Sequence, residues 1–253
     1  MRTVGQSRRA AWYRGLSLTK DGSLHDVTDT GLVEETVPQE SLEFVSHPMI
    51  PTGYNDYSAN IGGYLIQDSP AFRSLSGEKE LGPLVIFKTG RVVGRDATLA
   101  RSMGIKSFNW EETSMNNLAR ISFELYRNED AGVYPDSARI LANGDAIPMT
   151  HQLVDMGTGS ITGSVINVQL DDVVWDGATA LDIQVRHGSN SDGSSTAAYG
   201  SAFEFTPGTP AATTFFTTRD STTDMNRYAT ITVNWTGGTN PSARLLVVAV
   251  PLR

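Results

Sequence analysis

Four histidines, His25, His47, His151 and His187, and a few short acidic groupings are the residues from which chemistry would have to be built. The histidines are scattered: no H-E-x-x-H segment occurs, and no pair stands four apart, the spacing that sets two imidazoles on one helix face for a metal. His187 precedes a Gly/Ser/Asp-rich stretch and reads as a polar strand terminus. Asp171, Asp172 and Asp176 supply carboxylates suited to calcium, but Val173, Val174 and Trp175 fill the interval and the spacing matches no EF-hand loop. A solvated linker accounts for them. Asn190, Asp192 and the serines of NSDGSS are explained as turn formers. Adjacent carboxylates such as Glu111-Glu112 and Asp171-Asp172 point to opposite sides of a strand, so they do not form a cooperating acid–base pair. There is no cysteine, no G-x-S-x-G elbow to present a serine, and GPLVIFKTG lacks the Gly-Lys-Ser/Thr order that cradles phosphate. The expectation is a protein that is not an enzyme, with no catalytic, cofactor or metal residues.

Charge narrows the classes further. The 253 residues carry 20 Lys+Arg against 28 Asp+Glu, a formal charge of -8, which argues against a nucleic-acid binder that neutralises phosphates. Lysines stop at Lys106, and from about residue 156 Thr, Ser, Gly, Ala and Val dominate, a composition suited to strands and tight turns. The lack of cysteine rules out a disulfide framework and fits a bacterial cytosolic or virion protein. No apolar run approaches the length of a bilayer span. The basic start MRTVGQSRRAAWYRG is not followed by an apolar h-region, so no signal peptide is expected.

The pattern that must position these residues is all-β. Residues 1–60 hold a turn signal at Asp21-Gly22 and three prolines, Pro38, Pro48 and Pro51, that limit ladder donation. They lack the apolar mass for a separate core and read as an arm packed on the body of the chain or on a neighbouring subunit. Tyr54 and Tyr57, in its Gly/Pro/Asn-rich part, are expected to be exposed and to mark a contact surface. Residues 61–172 read as the main β domain, with strands at IGGYLIQ, PLVIFKTGRVVG, IKSFNW and LARISFELYR. Within it Ile121, Phe123 and Leu125 alternate with polar neighbours, a short helix is expected over 96–104 between Asp96 and Gly104, and Asn143-Gly144 signals a hairpin. The aperiodic stretch 66–83, carrying Phe72 and Arg73, reads as a long loop that serves a contact.

Residues 173–253 read as a C-terminal Ig-like β-sandwich, with the boundary in LDDVVWDGA (170–178). Leu181, Ile183 and Val185 alternate along one strand, Phe203 and Phe205 share a face, and Ala229, Ile231, Val233 and Trp235 point one way in RYATITVNW. The last stretch, DMNRYATITVNWTGGTNPSARLLVVAV, reads as a hairpin turning at Gly237-Gly238 and Asn240-Pro241. Its Leu245–Val250 run is apolar throughout, as expected of a strand covered on both faces.

The segment from ATALDIQVRHGSNSDGSS to RYATITVNWTGGTNPSARLLVVAVPLR resembles the C-terminal portion of virion proteins of long-tailed (siphovirus-type) bacteriophages, tail tube subunits foremost. The shared pattern falls on Leu181, Ile183, Val185, His187, Ser191 to Ser194, Arg227, Tyr228 and Pro241 to Ala249, and covers roughly the last 75 residues. The resemblance implies a tail-tube-like β domain that forms homo-oligomeric rings, hexamers as a rule, stacked into a conduit for DNA. The implied partners are further copies, other virion proteins and DNA in transient passage, without a membrane; the implied location is the phage tail, assembled in the host cytoplasm. Under that reading Glu112 and Glu124 are expected to line the lumen, where carboxylates would let DNA slide. Tyr54, Tyr57, Phe72 and Arg73 are then expected at subunit contacts. A capsid decoration or head–tail connector protein is the next reading, with residues 1–60 as a clamp. A carbohydrate-binding tail accessory module follows, and requires exposed aromatics on one sandwich face.

Overall fold

Strands with alternating burial, such as Ala119–Arg127, together with strands buried on both faces, such as Ser242–Leu252, make an all-β protein. The computed structural model describes residues 11–18, 24–29, 33–38, 49–64, 81–88, 90–112, 119–127, 136–148, 150–157, 161–208 and 212–252. At 24–25, 33–38, 49–56, 110–112, 119 and 127 the description is of backbone alone. The strands are β1 (Ala11–Tyr13), β2 (Leu16–Ser17), β3 (Leu24–Asp29), β4 (Val33–Pro38), β5 (Met49–Asp56), β6 (Ser58–Tyr64), β7 (Gly82–Phe87), β8 (Asp96–Glu112) and β9 (Ala119–Arg127). They continue with β10 (Asp136–Asp145), β11 (Val154–Asp155), β12 (Gly163–Val174), β13 (Ala178–Gly188), β14 (Ala197–Ala198), β15 (Phe203–Phe205), β16 (Phe215–Ser221), β17 (Tyr228–Gly237) and β18 (Ser242–Leu252).

An 11-stranded sheet runs β16-β12-β18-β10-β8-β7-β1-β2, and from the second half of β8 it branches through β9 and β6 to β3. A 5-stranded sheet, β11-β17-β13-β14 with β15 also on β13, packs against it, and β4 and β5 form a separate two-stranded ribbon leading into β6. Three apolar clusters result. One lies between the two sheets and holds Val168, Leu170, Leu181, Ile183, Ile231, Leu245 and Val247. A second joins Trp12, Phe87, Leu99, Ile140, Leu246 and Val248 on the opposite face of β18. The third lies between β1–β7 and β6–β9 and contains Tyr13, Leu84, Ile61, Ile121, Phe123 and Leu125. Successive residues of β18 therefore enter different cores, which is why Leu245–Val250 is apolar throughout and at most 4% exposed.

The sheet curls until the β1–β2 hairpin meets β12. The seam is made by side-chain acceptors: the Gly15 N–H donates to Gln169 Oε1 at 2.8 Å and the Ser17 N–H to Asp171 Oδ2 at 3.1 Å. Gln169 Nε2 in turn donates to Asn167 Oδ1, and Asn167 Nδ2 donates to the Thr217 carbonyl and to Thr218 Oγ1. Gly15 is required at the hairpin tip, with φ of +83° and space so tight that a Cβ would lie 2.7 Å from the Phe215 carbonyl oxygen. Residues 11–18 of the N-terminal arm are thus built into the body of their own chain.

Three local expectations are corrected. The stretch 96–104 is not a helix but the first part of β8, where Ala97 and Leu99 enter the second core and the backbone pairs with β7 and β10. Asn143-Gly144 is not a hairpin turn: both residues lie inside β10, opposite Leu246 and Leu245, and Asn143 Nδ2 donates to the Arg91 carbonyl at 2.8 Å. The β17–β18 segment is not a hairpin either. β17 pairs with β13 and β11, β18 with β10 and β12, and Gly237 and Gly238, at φ of 75° and 84°, carry the chain from one sheet to the other. In each case long-range pairing overrides a correct local signal. The expected division at 172/173 falls inside β12, whose pairing with β18 runs from Gly163↔Leu252 to Val174↔Ser242. Asp21-Gly22 lies outside the described residues.

Candidate assembly surface

Among the described residues, the layer formed by the second half of β8 with β9, β6 and β3 differs from the rest in being covered on one face only. The alternation in ISFELY sends Ile121, Phe123 and Leu125 inward, each at most 2% exposed, with Ile61 from β6 and the partly buried Phe108 from β8. The register then aligns Asn60, Glu124 and Ser107 in one row across the layer, and Gly62, Ser122 and Asn109 in the next. Asp26 of β3 stands opposite Gly62, and a Cβ on Gly62 would lie 3.7 Å from Ser122 Cβ and 3.9 Å from Asp26 Cβ, so these residues share the outer face.

Among the described side chains of this face the charges lie close to one another, and the register also sets Glu111, whose side chain lies outside the described residues, opposite Arg120. Lys106 Nζ lies 2.9 Å from Glu124 Oε1, and Ser107 Oγ donates to Glu124 Oε2. Arg120 Nη2 lies 3.6 Å from Asp26 Oδ2. Among the described side chains of this face two cations thus stand against two carboxylates. Around them lie Thr28, Asn60, Ser122 and Asn109, with Tyr64 and Tyr126 partly exposed toward the ends.

The expected lining residues fare differently. Glu124 is on this outer face, with its carboxylate engaged by Lys106 and Ser107. Glu112 ends β8 opposite Ala119, and its side chain lies outside the described residues. Among the expected contact residues, Phe72 and Arg73 lie outside the described residues, and Tyr54 belongs to β5 with its side chain likewise outside. Tyr57 is corrected: it is 3% exposed and belongs to the third core, with Val27 and Ala59, because the chain turns there from the ribbon into the main sheet. The partners of Glu124 were not found in the sequence. Lys106 and Glu124 are 18 positions apart, and only the β8–β9 register brings them together. Gln169 and Asn167 were also missed, although polar residues at alternate positions of the otherwise apolar INVQL are a readable sign of a buried polar row.

Elsewhere the polar residues complete structure. The acidic residues 171, 172 and 176 do not converge on a common point: Asp171 holds the hairpin seam, while Asp176 Oδ2 accepts the Asn240 N–H at 2.8 Å. Asp192 Oδ1 accepts the Ser194 N–H at 2.9 Å, the side-chain turn expected for NSDGSS. Trp235 Nε1 donates to the Ala146 carbonyl at 2.8 Å and its ring meets Trp175 edge-on. His187 Nδ1 accepts the Asn226 N–H at 3.0 Å, and burial lowers the imidazole pKa; burial does the same at His151. Two hydrogen bonds from Arg227, helped by the Gly157 N–H, bring the Asp155 carboxyl down to about 2. A cleft of about 410 Å³ is bordered by Asp96, Asp136, Arg139, Met156 and Pro251. Its charges are matched within the protein, Arg139 with Asp96 and Asp136 with Arg101. Among the described residues no three His, Asp or Glu side chains gather as a metal site.

No protein-family model matches the chain, and no curated protein does. Solved structures similar to it include a chain from the virion of a native gene transfer agent particle, at 14% identity, covering 49% of this chain and 92% of the other, with a TM-score of 0.34. The SPP1 Dit protein, of the hub adsorption apparatus in Gram-positive infecting phages, is similar at 8% identity over 97% of this chain and 99% of that one, with a TM-score of 0.35. A chain of the phage p2 baseplate in its activated conformation is similar at 10% identity over 95% and 97%, with a TM-score of 0.30. All three scores lie below 0.5.

Proposed function

We propose that the protein is a structural subunit of a tailed-phage virion, most specifically a tail tube subunit that assembles as stacked rings around a DNA conduit. The observation that carries the reading is the one-sided layer β3–β6–β9–β8: a strand face of small polar and charged residues, backed by a core and, among the described residues, not covered by another element. Among the described residues β3 pairs with β6 alone, and a neighbouring copy joining beyond β3 would extend the sheet between subunits. The β4–β5 ribbon precedes β6 in the chain as a separate sheet and would reach such a neighbour. The C-terminal pattern shared with phage virion proteins supports the same assignment.

Negative-stain microscopy of the purified, concentrated protein tests it. Tubes or stacked rings are expected. Immunogold labelling of virions that marks heads rather than tails would replace the tube reading with a capsid decoration or connector protein. Monomers that bind a glycan array would replace it with a carbohydrate-binding accessory module.

A further inference from the structure

The connection between β16 and β17, residues 222–227, has the sequence TTDMNR and links the 11-stranded sheet to the 5-stranded one. Its one apolar side chain, Met225, is 4% exposed in the core between the sheets, while the residues on either side of it are exposed. The connection is held along its length. The Tyr199 hydroxyl donates to the Thr223 carbonyl at 2.7 Å, the Met225 N–H donates to the Ile161 carbonyl at 3.2 Å, and the Arg227 guanidinium pairs with Asp155. The Asn226 N–H donates to His187 Nδ1 at 3.0 Å, and the half-buried His187 ring stands edge-on to Tyr199. Nδ1 accepts only while it carries no proton, so of these bonds this one depends on ionisation near neutral pH. Asp155, brought down to about 2 by Arg227, stays ionised well below that range. β14 and β17 oppose His187 with Ala197 and Ala229, which do not titrate. The other ionisable groups on the elements around it are engaged or exposed. Arg186, its neighbour in β13, donates to the Thr196 carbonyl, and Asp192 of the following turn accepts the Ser194 N–H. Tyr228, opposite Gly188, lies against Arg227, and Asp224 is exposed in the connection itself.

We propose that His187 is a proton-operated latch on this connection: its bare Nδ1 holds Asn226, and a proton on Nδ1 releases residues 222–227 and brings Met225 within reach of solvent. Once protonated, Nδ1 is a donor facing the donor N–H of Asn226, so an attraction becomes a repulsion. Burial already works against the charged ring, lowering its pKa in the latched form. In the released form the imidazole is solvated and titrates near the ordinary value of about 6.5. The released form therefore takes up the proton first, and its population grows about tenfold for each pH unit below that value until the latched form is protonated as well. Above it the latch is at full strength. The β12–β16 and β13–β17 ladders do not pass through residues 222–227, so release loosens the link between the sheets and leaves the ladders intact. The latch is independent of what the chain assembles into.

The test is amide hydrogen exchange on the full chain, expressed as protection factors so that the pH dependence of the exchange chemistry is removed, at pH values on both sides of about 6.5. Protection at Asn226 is expected to be constant at the alkaline end and to fall about tenfold per pH unit on the acid side, while Val248, buried in β18, keeps its protection throughout. His187→Phe keeps a ring against Tyr199 but has no acceptor, and should leave Asn226 weakly protected at every pH. His151→Gln removes the other histidine whose pKa burial lowers, and should keep the wild-type profile. Oxidation of Met225 by dilute hydrogen peroxide, mapped by mass spectrometry, is a second readout. It should be faster in acid for wild type and fast at every pH for His187→Phe. A flat Asn226 profile in wild type, a pH step that survives in His187→Phe, or one that disappears in His151→Gln would each overturn the latch. Should His187→Phe lose protection at Val248 and so be unfolded, the His151→Gln profile decides: a retained step at Asn226 upholds the latch and an abolished one removes it.

Discussion

β18 and β9 are both strands of the 11-stranded sheet, yet they meet their surroundings in opposite ways. β18 places Leu245, Val247 and Ala249 in one core and Leu246, Val248 and Val250 in another, with pairing on both edges. β9 places Ile121, Phe123 and Leu125 in a core and presents Arg120, Ser122, Glu124 and Tyr126 outward. The first strand has its side chains and ladder bonds satisfied inside the protomer. The second is buried on one side and, among the described residues, open and polar on the other, as antiparallel strands with one solvated face are. Stability should therefore be concentrated around β18 and β12, and tolerance on the outside of β9 and β6.

The sharpest way to break that contrast is Leu245→Ala. The side chain is fully buried between the sheets, and its truncation is expected to cost about 2–5 kcal/mol in urea unfolding. Gln169→Leu should follow. It leaves the Gly15 N–H and Asn167 Oδ1 without their partner at the seam, for an expected loss of about 1–3 kcal/mol. Hydrogen exchange at Gly15 and its neighbours should quicken in that variant before exchange in β18 does. If both regions quicken together, the seam is not a separate element but part of the β18 core.

What the sequence made legible follows the same contrast. Alternation was readable wherever one face is buried, in β9, β13 and β17, because a period of two records the core directly. The doubly covered β18 was readable from its unbroken apolar run. Connections were not readable. Asn143-Gly144 and Gly237-Gly238 carry the same local turn chemistry, yet one lies inside a strand and the other crosses between sheets. The difference is set by β10–β18 and β13–β17 pairing from far along the chain. The candidate surface was half legible: Glu124 could be placed on an outward face, but its partners depend on strand register and on a bulge between Ile105 and Ser107.

A pH titration should produce a smaller effect, traced to His187 in β13 and to His151, whose backbone N–H donates to the Ile231 carbonyl of β17. Burial lowers the pKa of His187 and His151 in the folded state, so the unfolded chain takes up protons first as pH falls below the ordinary 6.5. The stability these neutral imidazoles contribute is present above that pH and is lost on acidification. Urea midpoints should fall from pH 7.5 to pH 5.5, a range that spans the ordinary histidine value of about 6.5. Replacing both histidines with Gln should flatten the dependence, and an unchanged slope would place its origin elsewhere.

The smallest effect expected on the protomer is the most informative about its surface. Ser122 lies at the centre of the outer face, beside Gly62 and opposite Asn109, and Ser122→Ala removes no core contact. Away from buried or strained sites such a change stays within about 0.5 kcal/mol, so the unfolding midpoint of the dispersed protomer should hardly move. A larger bulky change, Ser122→Trp, should likewise leave the protomer folded while disturbing any assembly that brings this face close to another copy. If Ser122→Ala destabilises the isolated protomer as much as Gln169→Leu, the outside of β9 is covered by its own chain. The two strands would then no longer differ in kind, and the surface would lose its claim to an external partner.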